Sequence, residues 1–373
     1  MLDDQDASFL RRAIALAING RGTVEPNPMV GCVITKAGRV IGEGFHARFG
    51  GPHAEPNALA ACRESPAGAT AYVTLEPCCH TNKKTPPCVP ALIAAGIARV
   101  LVGCLDPNPH VSGRGLAMLR EAGITVEGPI LEAQCKQLIA PFIARTDLNR
   151  PYITLKWAQT ADGKIAGPGG RRMQISNDRS TAAVHRLRTR CSAILVGINT
   201  VLNDDPILTA RGIPETPPVL RCVLDRHLRM PIASNLVRTI AQNPVLIGCE
   251  ETMLSTPSAT LLKSLGVQLA ACTSIAGFLE HLKVAHLLVE PGPTLARSFF
   301  ADQLADRLWV FNCAKSANEP HALDAPEIPP NFRASGTIDF NGDLLTEYLN
   351  TTGDLFFARE PSTDLLLEMK QRS

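Results

Sequence analysis

Between Gly50 and Cys88 the chain sets down an imidazole at His53, a carboxylate two residues later at Glu55, and two separated thiols at Cys78 and Cys88. That set can hold one zinc ion. A catalytic zinc takes three protein ligands and leaves a fourth position for water, and an imidazole with two thiolates matches the metal's borderline softness. Glu55 is then left to carry a proton. A His opening a helix and a Glu two positions on both face a point beyond the helix N-terminus, and Pro56 suits that first turn because its missing N–H has no partner to lose there. Taken singly, His53 reads as an ordinary core or surface histidine; the company of Glu55 and two thiols points to a metal centre. His80 lies in the same loop and is open to two roles, ligand or substrate contact, whereas Cys79 must point elsewhere if Cys78 binds the ion.

His53-Ala54-Glu55 followed by Pro77-Cys78 is the pattern of zinc deaminases, in which the Glu carries the proton and is not a ligand. The second thiol departs from the short spacing of that pattern, since Cys88 lies ten positions beyond Cys78. With its loop ending Thr85-Pro86-Pro87-Cys88, this region resembles the deaminase domain of the bifunctional riboflavin-biosynthesis deaminase/reductases, the RibD type. The upstream run Pro26-Asn27-Pro28-Met29-Val30-Gly31-Cys32 and the downstream Asp106-Pro107-Asn108-Pro109 resemble the same family's substrate-pocket segments. The resemblance implies a cytidine-deaminase-like three-layer αβα domain, zinc on His53, Cys78 and Cys88, and Glu55 as the acid/base group. It further implies a pocket for a pyrimidine ribosyl phosphate touched by Asn27, His46, His80, Lys84 and Asn108.

The elements that must position these groups are readable from hydrophobic periodicity. Leu10, Ala13, Ile14, Ala17 and Ile18 recur at helical spacing, so an amphipathic helix ending near Asn19-Gly20 opens the chain. Apolar runs over residues 30–35 and 40–45, about a turn at residues 36–39, predict a hairpin. A helix over residues 54 to about 63, a strand over 71–75 delivering Cys78 just past its end, and alternating helices and strands to residue 127 predict a sheet covered on both faces. A single helix over residues 131–144 is expected to close a first domain of residues 1–148, with Asn149-Arg150-Pro151 as the joint.

At 373 residues the chain exceeds one typical core, and a net charge of +2 gives no electrostatic case for nucleic acid. Only 5% of residues are aromatic, too few to suggest a stacking groove for single strands, so a nucleic-acid deaminase is the weaker reading. The twelve cysteines are scattered through apolar runs and read as reduced thiols. The acidic start, with no apolar run of bilayer length, fits neither a signal, a transit peptide nor a membrane span. A cytoplasmic enzyme is expected, with no membrane partner and as a homo-oligomer.

The second domain, residues 149–373, also shows α/β alternation, with strands at 152–158, 193–197, 219–224, 244–248, 286–289 and 307–311 and helices at 178–190 and 295–301. It resembles the reductase half of the same family, a dihydrofolate-reductase-like α/β domain. The matching segments are Lys156-Trp157-Ala158 with Asp162-Gly163-Lys164, residues 194–201 with Asp204-Asp205-Pro206, Leu208-Thr209, Arg211, and residues 289–295. The resemblance implies that Ala158, Gln174, Thr200, Asp204 and the turn Gly292, Pro293, Thr294 hold NADPH. Arg172, Arg188, Leu208 and Arg211 would meet the ribosyl phosphate, with Lys156 and Glu290 in catalytic roles. A Gly-bearing turn feeding a helix N-terminus suits cofactor phosphates, and paired arginines suit a phosphomonoester. The family commonly has a Trp where Gln174 stands, so a second reading keeps the first domain as an enzyme and makes the second a scaffold. The stretch from residue 325 on carries few recognisable motifs.

Overall fold

The computed structural model describes residues 4–80, 85–108, 111–214 and 216–371. It divides into two compact units, one running to Leu148 with Ser362–Gln371 added, the other Asn149–Pro361.

The first unit contains α1 (Asp4–Ala17), β1 (Gly31–Lys36), β2 (Arg39–Phe45), α2 (Ala54–Ala60), β3 (Thr70–Leu75), α3 (Cys88–Ala94), β4 (Arg99–Cys104), α4 (Arg114–Glu121), β5 (Thr125–Glu127), α5 (Glu132–Leu138) and α6 (Ala140–Asp147). Its strands form one sheet in the order β2-β1-β3-β4-β5, with β1 antiparallel to both neighbours and β3, β4 and β5 parallel. Successive residues of a strand face opposite sides of a sheet. Cys32 therefore joins Ala54, Ala58, Val89, Leu92 and Leu116 in the core under α2, α3 and α4, while Gly31 and Tyr72 face α1. A Cβ at Gly31 would lie 2.0 Å from the carbonyl oxygen of Ala13, and one at Gly44 would lie 2.3 Å from the amide nitrogen of Ala58. Both helices can press onto the sheet only because these positions carry no side chain. Tyr72 donates to Asp6 at 2.7 Å and packs against Phe9, fastening α1 to its face.

The expected helix over residues 131–144 is two helices. Pro141 cannot donate to an earlier carbonyl, so the chain turns at Ile139 and α6 starts afresh with the proline in its first turn. α2 stops at Ala60, shorter than the periodicity suggested, and Arg63 N bonds back to Ile41 O.

The second unit contains β6 (Tyr152–Gln159), β7 (Lys164–Ala166), α7 (Asp178–Thr189), β8 (Ala193–Gly197), α8 (Ile198–Asp204), β9 (Leu220–Leu224), α9 (Asn235–Arg238), β10 (Val245–Cys249), α10 (Pro257–Ser264), β11 (Gln268–Ala271), α11 (Ile275–Glu280), β12 (His286–Val289), α12 (Pro293–Ala301), β13 (Arg307–Asn312), β14 (Leu323–Asp324), β15 (Phe332–Phe340) and β16 (Asp343–Asn350). Nine strands pair in the order β11-β10-β9-β8-β12-β6-β13-β16-β15. The first seven run parallel, and β16 and β15 add antiparallel at the end. Asn177 caps α7 by accepting from Ser180 N at 2.9 Å.

The second domain is expected over residues 149–373, with the place of its tail beyond about 325 left open. A last helix, α13 (Thr363–Lys370), groups with the first unit, where Asp364 is fully buried in an ion pair with Arg21. Among the described residues no helix is long and apolar enough to cross a membrane.

Candidate active site

β3 ends at Leu75 and β4 at Cys104, and the residues just past them line a cavity of about 350 Å³ in the first unit. His53 precedes α2 and Cys88 opens α3, so two helix N-termini and one strand end bring the three donors together. The separations are 3.4 Å for Cys78 Sγ to Cys88 Sγ, 3.5 Å for Cys78 Sγ to His53 Nδ1, and 3.4 Å for Cys88 Sγ to His53 Nδ1. A tetrahedral zinc, with Zn–S about 2.3 Å and Zn–N about 2.0 Å, spaces such atoms about 3.5–3.8 Å apart. The donors fit that ion, and among the described residues no other three His, Cys, Asp or Glu side chains converge this way. Their crowding is itself unfavourable without a cation: the contact with Cys78, and then burial, push the Cys88 thiol up.

Glu55 stands in the first turn of α2, 3% exposed, and its Oε2 has no hydrogen-bond partner among the described residues. Burial, with the neighbouring Cys78 charge, raises its carboxyl above its ordinary value. Asn27, His46, His80 and Asn108 line the same cavity as His53, Glu55 and Cys78. Asn27 Nδ2 meets His46 Nε2 at 3.1 Å, and the other ring nitrogen of His46 meets Pro52 O at 2.9 Å. His80 Nδ1 is buried without a partner among the described residues. Lys84 lies outside the described residues.

Two more groups shape this site: Thr85, at the head of the Thr85-Pro86-Pro87-Cys88 run, and Glu76, which no motif singles out. Thr85 Oγ1 lies 3.2 Å from His53 Nε2, so the outer ring nitrogen is held and Nδ1 is turned to the thiols. Glu76, 2% exposed, accepts from the backbone N–H groups of Gly113 at 2.8 Å, Gly115 at 2.9 Å, and Asp106 and Leu116 at 3.4 Å. It thereby ties the start of α4 and the Asp106–Asn108 segment to the residue next to Pro77-Cys78. A charged residue directly after an apolar strand is the only clue to it. Phe49 and Phe142 also line the cavity.

In the second unit a charged cluster sits at the C-terminal ends of parallel strands. Arg188 on α7 grips Glu290, just past β12, through two bonds of 2.8 Å, and donates to Thr209 O at 3.0 Å. Burial would raise the Glu290 carboxyl, but Arg188 and then Lys156 outweigh it and bring it to about 2. Burial lowers the Lys156 ammonium despite Glu290. Arg211 donates to His185 Nε2 at 3.4 Å, and burial followed by the charges of Arg188 and Arg211 keeps His185 below its ordinary value. Leu208, one residue before Thr209, is buried at φ 54°.

The groups tied to NADPH by resemblance are more dispersed. Ala158 lies on β6 opposite Phe311, Thr200 is within α8, and Asp204 ends α8 with a buried Oδ1 that lacks a partner among the described residues. Burial raises the Asp204 carboxyl against the charge of Arg172. Gly292 caps α12 with open space where a Cβ would stand, and Pro293 and Thr294 form the first turn. The orphan acceptor and the uncovered helix start fit a cofactor with hydroxyl and phosphate groups. Gln174 turns its side chain to Ser176 O at 2.8 Å, and Lys315 holds its carbonyl.

The RibD C-terminal domain family matches residues 151–315, and the cytidine and deoxycytidylate deaminase zinc-binding region matches residues 3–104. The riboflavin biosynthesis protein RibD of Aquifex aeolicus is 40% identical over 324 residues, covering 86% of this chain and 90% of that one. The chain belongs to the RibD family. It is a bifunctional enzyme of riboflavin biosynthesis, a zinc-dependent deaminase joined to an NADPH-dependent reductase. Among solved RibD structures, one from Acinetobacter baumannii superposes with a TM-score of 0.82 at 32% identity, covering 93% of this chain and 99% of that one. A deaminase/reductase from Thermotoga maritima gives 0.79 at 36% identity, with the same coverage of 93% and 99%. These whole-chain matches bear out a cytidine-deaminase-like unit followed by a reductase unit, and the scaffold reading of the second domain is not favoured.

Proposed function

We propose that the first unit deaminates a diaminohydroxyphosphoribosylaminopyrimidine and that the second reduces the resulting 5-amino-6-(5-phosphoribosylamino)uracil, the pair of reactions named for the Thermotoga maritima relative. Residues 1–148 with the α13 helix form the deaminase, and residues 149–361 the reductase. The observation that carries the first half is the convergence of His53 Nδ1 and two thiols at 3.4–3.5 Å beside the partnerless Oε2 of Glu55.

His53, Cys78 and Cys88 would hold a zinc ion, which would supply Lewis acidity and make a bound water more acidic. Glu55 takes a proton as water adds to the amino-bearing ring carbon, then returns one to the nitrogen as the carbon–nitrogen bond breaks and ammonia leaves. Asn27, His46, His80 and Asn108 orient the ring and its ribosyl phosphate, and the family resemblance assigns Lys84 to the same substrate. Ala158, Gln174, Thr200, Asp204 and the Gly292-Pro293-Thr294 turn would hold NADPH, which would supply the hydride for reduction of the ribosyl group to ribityl. Arg172, Arg188, Leu208 and Arg211 seat the phosphosugar. Lys156, with its ammonium lowered and Glu290 beside it, is placed to donate the proton that the opening sugar oxygen needs.

The cytoplasm suits a chain whose twelve cysteines form no disulfide. Self-association is expected as well, and analytical ultracentrifugation decides it. The functional test is ammonia release followed by NADPH consumption on the purified zinc-loaded chain. Glu55→Gln is expected to stop ammonia release, by about 10²- to 10⁴-fold, while leaving reduction of pre-formed deaminated substrate intact. Near-normal deamination by this variant would make Glu55 structural and overturn the assignment.

A further inference from the structure

Arg21 follows the turn that ends α1, and its side chain is 2% exposed against 0% for Asp364 of α13. Two parallel bonds join them, Nε to Oδ1 at 3.0 Å and the second guanidinium nitrogen to Oδ2 at 3.1 Å. The remaining nitrogen of Arg21 donates to Glu25 at 3.3 Å, and the same Glu25 oxygen accepts from Gly22 N at 3.2 Å. The turn over residues 21–25 is thus closed by a guanidinium that α13 holds in place. Asn27 N bonds Val24 O at 2.9 Å, carrying that order to a residue that lines the cavity and meets His46. His46 in turn bonds Pro52 O, the carbonyl next to His53. α13 is seated independently of this pair: Leu365 and Glu368 are fully buried, and Lys370 donates to Ala15 O at 3.1 Å.

We infer that α13 is a positioning element of the deaminase site, acting through Asp364 and Arg21 on the turn that presents Asn27 to the substrate. The inference rests on the cavity being the deaminase's substrate pocket. A bidentate pair fixes direction as well as distance, so the guanidinium arrives at Glu25 in one orientation. Loss of that orientation moves Asn27 without touching the zinc donors, and small displacements of a binding group are felt strongly in turnover at limiting substrate.

The test uses the full, zinc-loaded chain with the diaminopyrimidine ribosyl phosphate. Asp364→Asn keeps the shape of the side chain but turns an amide toward Arg21. The expected result is a KM raised on the order of tenfold, with kcat little changed, one zinc retained, and NADPH-dependent reduction of pre-formed deaminated substrate as in wild type. Glu25→Gln, at the edge of the cluster where folding is not at stake, is expected to raise KM in the same sense but less. Asn27→Ala separates the two levels of argument. If Asn27→Ala raises KM while Asp364→Asn and Glu25→Gln leave it unchanged, the positioning role is overturned and the pocket reading stands. If Asn27→Ala also leaves KM unchanged, both fall. A loss of zinc, kcat and thermal stability together in Asp364→Asn, with Glu25→Gln silent, would reduce α13 to a structural strap and overturn the inference as well.

Discussion

Replacing Glu290 by Gln removes one charge from a cluster of three, leaving Arg188 and Lys156 facing each other with no counter-charge between them. The wild-type carboxyl falls from the usual 4.5 to about 2, because Arg188 and Lys156 overcome the cost of burial. At about 1.4 kcal/mol per pH unit, that drop corresponds to about 3 kcal/mol of stability at neutral pH. Breaking a buried ion pair costs about 3–5 kcal/mol, and the low end applies because the two side chains keep 12% and 18% of their surface in water. For a domain of this size, about 3 kcal/mol lowers the unfolding temperature by about 6–12 °C. The sign with pH follows from the depressed value. The charge stabilises fully above 4.5 and the contribution is lost as pH falls through about 2. Calorimetry of wild type and Glu290→Gln should therefore show a gap at pH 7 that narrows with acid, with NADPH oxidation lost and zinc content and ammonia release retained. Equal unfolding temperatures at pH 7, or a gap that does not shrink toward low pH, would refute the paired-charge account of this cluster.

Cys78→Ser and Cys88→Ser should each lower zinc below one equivalent in metal analysis, since each removes one of three donors held 3.4–3.5 Å apart; full zinc in both would sink the ligand assignment. Glu76→Gln replaces one acceptor oxygen by a donor opposite backbone N–H groups, orphaning buried donors at about 1–3 kcal/mol each. Its deaminase KM should rise with zinc unchanged, and unaltered kinetics would leave Glu76 without a positioning role. Gly44→Ala should destabilise the first unit by about 1–3 kcal/mol, because the added methyl would meet Ala58 N at 2.3 Å. An unchanged melting profile for that variant would mean α2 can move off the sheet freely.

The deaminase site was legible because its chemistry is nearly local. His53, Glu55, Cys78 and Cys88 sit at element starts or just past a strand end, so spacing along the chain translates directly into convergence. Glu76 is adjacent to the motif yet has no local signature, since the N–H groups it satisfies belong to residues 106–116. The tail carries few recognisable motifs, yet Asn341-Gly342 is a two-residue hairpin signal, with φ 60° and 97° between Phe340 and Asp343. Ser362, which accepts from Leu365 N at 3.3 Å, is a helix cap. Both signals are short and surrounded by weak periodicity. What no local pattern could reveal is that Asp364 meets Arg21, because a pair separated by 343 positions leaves no spacing to read.

The reductase cluster shows why buried charge is the better guide when motifs are dispersed. Lys156 interrupts an otherwise apolar strand, Glu290 ends another, and Arg188 lies on a helix whose basic last turn also reads as a solvated face. Each alone has a bland explanation. Together they form one network, because a cation in a strand interior needs a counter-charge and the ends of parallel neighbours are where one can reach it. β6 and β12 are adjacent and parallel, so a Lys within the first and a Glu just beyond the second fall on the same edge of the sheet. Arg188 then fixes the carboxylate from above and ties it to Thr209 O in the segment carrying Leu208 and Arg211. That network lowers an ammonium, depresses a carboxylate and holds a histidine below its ordinary value within one cluster, so burial and neighbouring charge set three titratable groups apart by environment alone, the kind of perturbation that clusters at functional sites.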